Sequence, residues 1–149
     1  MIDRFEHFSL SIAEISRHWH KIAADELEKY GLKGSHAIYL TTLYQLEEGV
    51  TAARLAELCA RDKADVSRML NIMEQQGLIL REGANNYRTA LRLSEKGREA
   101  AEHIRSRASL AVAAAGRDLS DETRAVFYEA LDSIAKNLRE LSRNGLPEK

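Results

Sequence analysis

The segment between residues 62 and 76 carries side chains that can hydrogen-bond base edges and phosphate groups. Its apolar spacing of i, i+3, i+4 and i+7 predicts one buried helix face, formed by Val66, Met69, Leu70 and Met73. The positions left exposed or peripheral are Lys63, Ala64, Asp65, Ser67, Arg68 and Asn71. Cationic and amide groups suit guanine, adenine and phosphate, and a small alanine suits a thymine methyl group. We therefore predict that this face contacts double-stranded DNA.

Asp65 is the least favourable member of this set, because phosphate groups repel a carboxylate. Two interpretations stay open for it. Its oxygens could accept a hydrogen bond from cytosine, or they could pair with Lys63 or Arg68.

The elements on either side of this segment complete a supersecondary motif. Thr51 can cap a short helix through Cys59, a break follows at residues 60–61, and Asp62 can cap the next helix to about Gln76. Two strands are expected at 78–81 and 87–93, joined by a run of turn-forming residues. Two short helices and a hairpin predict a winged helix-turn-helix, with Asn85, Asn86 and Arg88 at the tip as further DNA contacts.

Both ends of the chain carry an apolar stripe at heptad spacing. The first stripe consists of Phe5, Phe8, Ile12, Ile15, Trp19 and Ile22, and the second of Phe127, Leu131, Ile134, Leu138 and Leu141. A helix with one narrow seam needs a partner helix. The two stripes could pair within one chain, but the predicted DNA-binding middle favours an intertwined homodimer. We expect a mainly α fold with a small β-hairpin wing.

The remaining elements complete the predicted organisation. A helix is expected over 35–47 with its inner side formed by Ile38, Leu40, Leu43 and Leu46, and Ser94 and Ser120 are expected to cap helices over 95–115 and beyond 120. Residues 1–34 and 117–149 are predicted to dimerise, and 35–94 to bind DNA. Residues 95–116 would form the helix linking the wing to the dimerisation region.

Composition narrows the function classes. Residues 51–98 carry nine basic and six acidic side chains between flanks with an acidic balance, as expected if the middle meets phosphates.

The single cysteine, Cys59, is expected in the core, and the five histidines include no i, i+4 pair that would suggest a zinc site. No apolar run is long enough to span a membrane, so a cytoplasmic protein is expected. No pattern of catalytic residues, cofactor or metal site is predicted.

Four pieces of sequence in order resemble the MarR (multiple antibiotic resistance regulator) family. They begin at Thr51 (TAARLAEL), Asp62 (DKADVSRML), Glu74 (EQQGLI) and Leu93 (LSEKGR). The resemblance implies a homodimeric repressor that binds a pseudo-palindromic operator and is often released by a small molecule. It places Lys63, Asp65, Ser67 and Arg68 on the recognition helix and Arg88 near the wing arginine. The wing departs from the family pattern, because no acidic residue lies two positions before Arg88.

The resemblance also suggests where an effector would bind. A small aromatic or anionic effector would lie between the dimerisation and DNA-binding parts, where Trp19, His36, Tyr39 and Tyr44 are the candidate lining residues. Packing alone would also explain Trp19. The alternative function is a helical dimer whose winged helix mediates protein–protein contacts without binding DNA.

Overall fold

The computed structural model of the chain describes residues 3–83 and 89–148. Six α-helices and two strands follow one another in these residues: α1 (Arg4–Leu27), α2 (Ala37–Gln45), α3 (Ala52–Leu58), α4 (Lys63–Gln75), β1 (Ile79–Glu82), β2 (Ala90–Leu93), α5 (Glu95–Ala115) and α6 (Asp121–Asn144). Short 3-10 helices at Glu28–Tyr30 and Gly34–His36 lie between α1 and α2. The predicted order of elements is confirmed, as is the mainly helical fold with a two-stranded hairpin.

The chain divides into two compact units, Met1–Ser109 and Leu110–Lys149. In the first unit a single buried cluster runs from Ala23 on α1 to Ile104 on α5. Its largest fully buried side chains include Tyr39, Leu40, Leu55 and Met73. The helix-turn-helix and hairpin are thus built around the same apolar core as the second half of α1.

The first half of α1 is different, because its apolar side chains face outward. Phe5 is 73% exposed and Ile15 is 61% exposed, whereas Ala23 and Leu27 further along the helix are fully buried. Asp3 and Glu6 form a reciprocal capping box that satisfies the free backbone donors at the start of the helix. Gly31 ends this region with a left-handed φ of 71°, a conformation that glycine adopts readily.

Glu26 on α1 joins this helix to α5. Its carboxylate oxygens lie 2.8 Å from Arg107 Nε and 2.9 Å from His103 Nε2. The hydrogen bond from Arg107 lowers the pKa of Glu26, while desolvation acts in the opposite direction. These contacts connect the second half of α1 to α5.

Helix α2 differs from the sequence prediction in its bounds and in the orientation of one side chain. It begins after a 3-10 turn and ends at Gln45, two residues earlier than expected. Leu40 and Leu43 are buried as predicted, but Ile38 is 41% exposed and its inward assignment was wrong. The reason is geometric, since Ile38 lies about 200° around the helix from Leu40 at 100° per residue.

The hairpin pairs β1 and β2 antiparallel, with Ile79 opposite Leu93 and Glu82 opposite Ala90. Both strands are shorter than or shifted from the predicted ranges, and residues 87–88 of the second predicted strand lie outside the described residues. Val50 forms an isolated antiparallel bridge with Leu91 on β2, through two backbone hydrogen bonds. The hairpin is therefore tied to the chain that leads into α3.

The second unit consists of the end of α5 and all of α6. Ser120 caps α6 as predicted, and its side chain accepts from the Thr123 amide. No residue between 110 and 148 is buried. The exposed fractions of Phe127, Leu131, Ile134 and Leu138 lie between 37% and 50%. This heptad stripe is therefore an uncovered apolar surface of its own unit.

None of the helices within residues 3–83 and 89–148 combines the length and apolar character that crossing a membrane requires.

Gly97 packs the start of α5 directly onto Leu78, in the connection between α4 and β1. A Cβ at Gly97 would overlap the backbone carbonyl of Leu78, which itself accepts a hydrogen bond from the Ser94 amide at 2.9 Å. The Ser94 hydroxyl also accepts from the Gly97 amide, which confirms Ser94 as the predicted cap of α5. No side chain fits here without moving backbone.

We expect Gly97→Ala to destabilise the protein by about 1–3 kcal/mol, because the overlap involves backbone that cannot rotate away. Urea unfolding at fixed protein concentration measures the change. Gly116→Ala is the matched control, since its Cβ would lie 3.5 Å from its nearest neighbour, the Val112 carbonyl. Equal midpoints for the two variants would contradict the close packing of α5 on Leu78.

Candidate nucleic-acid interface

Helices α3 and α4 are joined by a tight turn at residues 59–62. Thr51 caps α3, and Asp62 caps α4 by accepting from the Asp65 amide at 2.7 Å, as the sequence predicted. Ala60 within the turn has a φ of 52°, a left-handed conformation that costs a non-glycine residue about 1–2 kcal/mol. The turn holds this strain because both helices that it joins are packed in the core.

The predicted buried face of α4 is confirmed. Val66, Met69, Leu70 and Met73 are each at most 2% exposed. They pack the helix against α3 and β1. This leaves one outward face, on which five of the six predicted DNA-contacting side chains are exposed: Lys63, Ala64, Ser67, Arg68 and Asn71. The sixth, Asp65, is partly buried.

Asp65 has two partners within the protein. Its Oδ2 accepts a hydrogen bond from the Tyr39 hydroxyl at 2.9 Å, and its Oδ1 lies 3.6 Å from Arg68 Nη2. Burial of the Tyr39 ring, together with this hydrogen bond, raises the pKa of the tyrosine. Of the two interpretations that the sequence left open, the geometry favours pairing within the protein.

A groove of about 220 Å³ runs beside the outward face of α4. It is lined by Ala52 and Ala53 from the start of α3, by Lys63 and Ser67 from α4 and by Arg81 from β1. Cationic, hydroxyl and small apolar groups together can accommodate part of a sugar–phosphate backbone.

The arginines of the described part of the hairpin are paired with acidic groups. Arg81 Nε lies 3.0 Å from Glu74 Oε2 on α4. Arg92 Nε lies 3.3 Å from Glu82, and its Nη2 donates to the Glu48 carbonyl at 3.1 Å. These contacts brace the base of the wing. The predicted tip residues Asn85, Asn86 and Arg88 lie outside the described residues.

The four candidate effector residues occupy different surroundings. His36 and Tyr39 are both buried with ring centroids 6.5 Å apart, and burial lowers the pKa of His36. Tyr44 is partly buried against α5, where the Arg105 guanidinium lies 4.5 Å from its ring and Glu102 accepts from its hydroxyl. Trp19 is partly buried on α1.

An open cleft of about 560 Å³ adjoins Tyr44 and Arg105 and is lined further by residues 45–49. Tyr44 is the one predicted effector residue that lines it. His36 and Tyr39 instead are buried, with His36 Nδ1 accepting from the Lys33 amide and the Tyr39 hydroxyl donating to Asp65 on α4.

Cys59 is buried, as expected for a core residue, and burial raises the pKa of its thiol. Its Sγ lies 3.6 Å from the Thr42 hydroxyl. Across the described ranges, no group of three or more His, Cys, Asp or Glu side chains is arranged to hold a metal ion.

Sequence reasoning missed two features of this region. One is the hydrogen bond between Tyr39 and Asp65, and the other is the pair of α5 arginines, Arg98 and Arg105, beside the Tyr44 ring. Only the general need of a buried tyrosine hydroxyl for a partner could have suggested the first. Nothing in the spacing of the residues indicated the second.

Comparison with known proteins agrees with this geometry. Residues 30–86 match the sequence model of the MarR family. No curated protein sequence matches the chain. Among solved structures, a MarR transcriptional regulator from Methanosarcina mazei Go1 superposes with a TM-score of 0.84 at 19% identity, covering 95% of this chain and 94% of the other.

Two further structures of this fold contain DNA. A putative MarR family regulator from Listeria monocytogenes, complexed with a 26mer DNA, has a TM-score of 0.81 at 21% identity and covers 100% of this chain and 99% of its own. The complex of S. aureus MepR with DNA has a TM-score of 0.78 at 23% identity and covers 88% of this chain and 97% of its own.

The resemblance to the MarR family is confirmed: residues 30–86 match the family in sequence, and the chain has the fold of the MarR transcriptional regulators.

Proposed function

We propose that the chain is a sequence-specific DNA-binding transcriptional regulator that acts as a homodimer on a pseudo-palindromic operator. The observation that carries the proposal is the outward face of α4, where Lys63, Ser67 and Arg68 are exposed on a helix whose opposite face is buried. The small Ala64 near its start lets the helix approach base edges closely. The DNA complexes formed by two proteins of the same fold support this assignment.

The dimer supplies the second half of the proposal. The α1 stripe is exposed at Phe5, Phe8, Ile12 and Ile15, and the α6 stripe is exposed from Phe127 to Leu138. Apolar side chains at heptad spacing on the outside of long helices gain about 25 cal/mol per Å² when a partner covers them. A two-fold dimer would present two copies of α4 to major grooves roughly 34 Å apart.

Arg68 tests the DNA contact. We expect Arg68→Ala to weaken binding to a duplex that the wild-type protein selects from genomic DNA by about 5–150-fold, as lost base contacts of about 1–3 kcal/mol imply. Fluorescence anisotropy at several salt concentrations measures it, and Arg143→Ala on α6 is the matched control. Unchanged affinity in Arg68→Ala would contradict the proposed role of α4. An absence of any salt-dependent DNA binding by the wild type would favour a protein–protein adaptor instead.

Ile134 tests the dimer. A charge in the middle of the α6 stripe cannot be buried unpaired, so we expect Ile134→Asp to shift the protein from dimer to monomer. Sedimentation velocity at micromolar concentration measures the change. Asp132→Ala, two positions away on the same helix, is expected to leave the dimer intact. A dimeric Ile134→Asp variant would show that the α6 stripe does not form the interface.

The finer part of the proposal is that the regulator represses and that a small aromatic or anionic effector releases it. The cleft beside Tyr44 and Arg105 supports this, because an aromatic ring and a cation together suit an aromatic carboxylate. Such a ligand would act by favouring a dimer conformation in which the spacing of the two α4 helices no longer fits DNA.

A panel of aromatic acids tests release. We expect at least one of them to weaken operator binding by about 5–150-fold, the usual range of coupling between two sites, in the wild type but not in Arg105→Ala. Competition anisotropy on the selected duplex measures the effect, with Arg143→Ala as the control that keeps it. Equal release of wild type and Arg105→Ala would place the effector elsewhere.

A further inference from the structure

Tyr39 links the buried core to the first turn of the recognition helix. Its side chain is 1% exposed, and its hydroxyl donates to Asp65 Oδ2 at 2.9 Å across a separation of 26 residues. A tyrosine ring enclosed on all sides has its hydroxyl in one position. The hydrogen bond therefore connects the outward side of α4 to a fixed point on α2.

The contact orients the carboxylate of Asp65. With Oδ2 held by Tyr39, the other oxygen, Oδ1, faces Arg68 one turn further along α4, with Nη2 at 3.6 Å. The backbone amide of Asp65 is held as well, because it donates to the Asp62 side chain. Both the backbone and the side chain of Asp65 are thus restrained before any ligand binds.

The ion pair alone would contribute little to stability. The side chains of Arg68 and Asp65 are 71% and 41% exposed, so solvent screens their attraction. Its value lies in restricting Arg68, whose long side chain otherwise samples many rotamers that would have to be lost when it meets a base. A fixed carboxylate beside it reduces that loss. It also keeps the charge of Asp65 away from phosphate.

We infer that Tyr39 is a positioning residue for DNA recognition: through Asp65 it pre-orients Arg68, and Asp65 itself reads no base. This inference rests on the proposed function. Because it concerns the orientation of a base-contacting group, it predicts a loss of discrimination between operator and other DNA with little change in general affinity for the phosphate backbone.

The test is a double-mutant cycle on the specificity ratio, defined as affinity for the wild-type-selected duplex divided by affinity for poly(dI-dC). We expect Tyr39→Phe to lower this ratio about tenfold, in line with about 1.5 kcal/mol for a hydrogen bond to a charged group. The slope of affinity against salt should not change, because the number of phosphate contacts is the same. Tyr30→Phe, which removes the hydroxyl of another buried tyrosine, is the matched control and should keep the ratio.

The decisive comparison uses Asp65→Ala. If Tyr39 acts through Asp65, adding Tyr39→Phe to Asp65→Ala should cause no further loss, whereas a purely structural role of Tyr39 would give additive losses and overturn the inference. Asp65→Asn can still serve both neighbours, with its amide nitrogen donating to the Tyr39 hydroxyl oxygen and its carbonyl oxygen facing Arg68, so it should retain more of the ratio than Asp65→Ala. Should Tyr39→Phe fail to fold, equal ratios for these two Asp65 variants would overturn the inference by themselves.

Failure of the underlying function gives a different result. If the wild-type protein selects no duplex and binds poly(dI-dC) without salt dependence, the proposed function fails and this inference fails with it. If the wild type discriminates and Arg68→Ala loses that discrimination while Tyr39→Phe does not, only the inference about Tyr39 is overturned.

Discussion

The burial of one face of α4 is the constraint on which the candidate interface depends. Val66, Met69, Leu70 and Met73 leave the helix no freedom to rotate, since turning it would expose these side chains and bury Lys63 or Arg68 without partners. The caps at Thr51 and Asp62 then fix where the two helices of the motif begin. The strained backbone at Ala60 is tolerated because packing on both sides determines the turn. The outward residues of α4 owe their arrangement to the apolar ones behind them.

A second constraint acts at both ends of the chain, where long helices expose apolar faces that nothing in the same unit covers. The α6 helix is 24 residues long and contains no buried residue, while its apolar stripe places two apolar side chains in each heptad. The first half of α1 is exposed in the same way. A single chain gains little from these faces, so the proposed partner would stabilise both ends and at the same time set the distance between two copies of α4. Dimer stability and DNA recognition would then depend on the same helices.

The features that sequence alone predicted are those decided by neighbouring residues. The caps at Thr51, Asp62, Ser94 and Ser120 and the buried face of α4 follow from patterns within one or two helical turns. Ile38 was misassigned because its helix is short and mostly apolar, so hydrophobicity did not distinguish its two sides. The hydrogen bond between Tyr39 and Asp65 joins residues 26 positions apart. No local pattern reports such a contact, since it depends on how α2 and α4 pack.

Because the hairpin arginines are paired within the protein, we expect α4 to make most of the proposed DNA contacts. Arg81 and Arg92 are held by Glu74, by Glu82 and by the Glu48 carbonyl, so using either for phosphate would require giving up an existing contact. Arg68 also has an acidic partner, but the two groups are 3.6 Å apart and exposed to solvent, so exchanging this contact for a base edge costs little. Ion pairs therefore have different roles in the hairpin and on α4. In the hairpin it braces the two strands, and on α4 it restricts Arg68 until a base edge replaces the carboxylate.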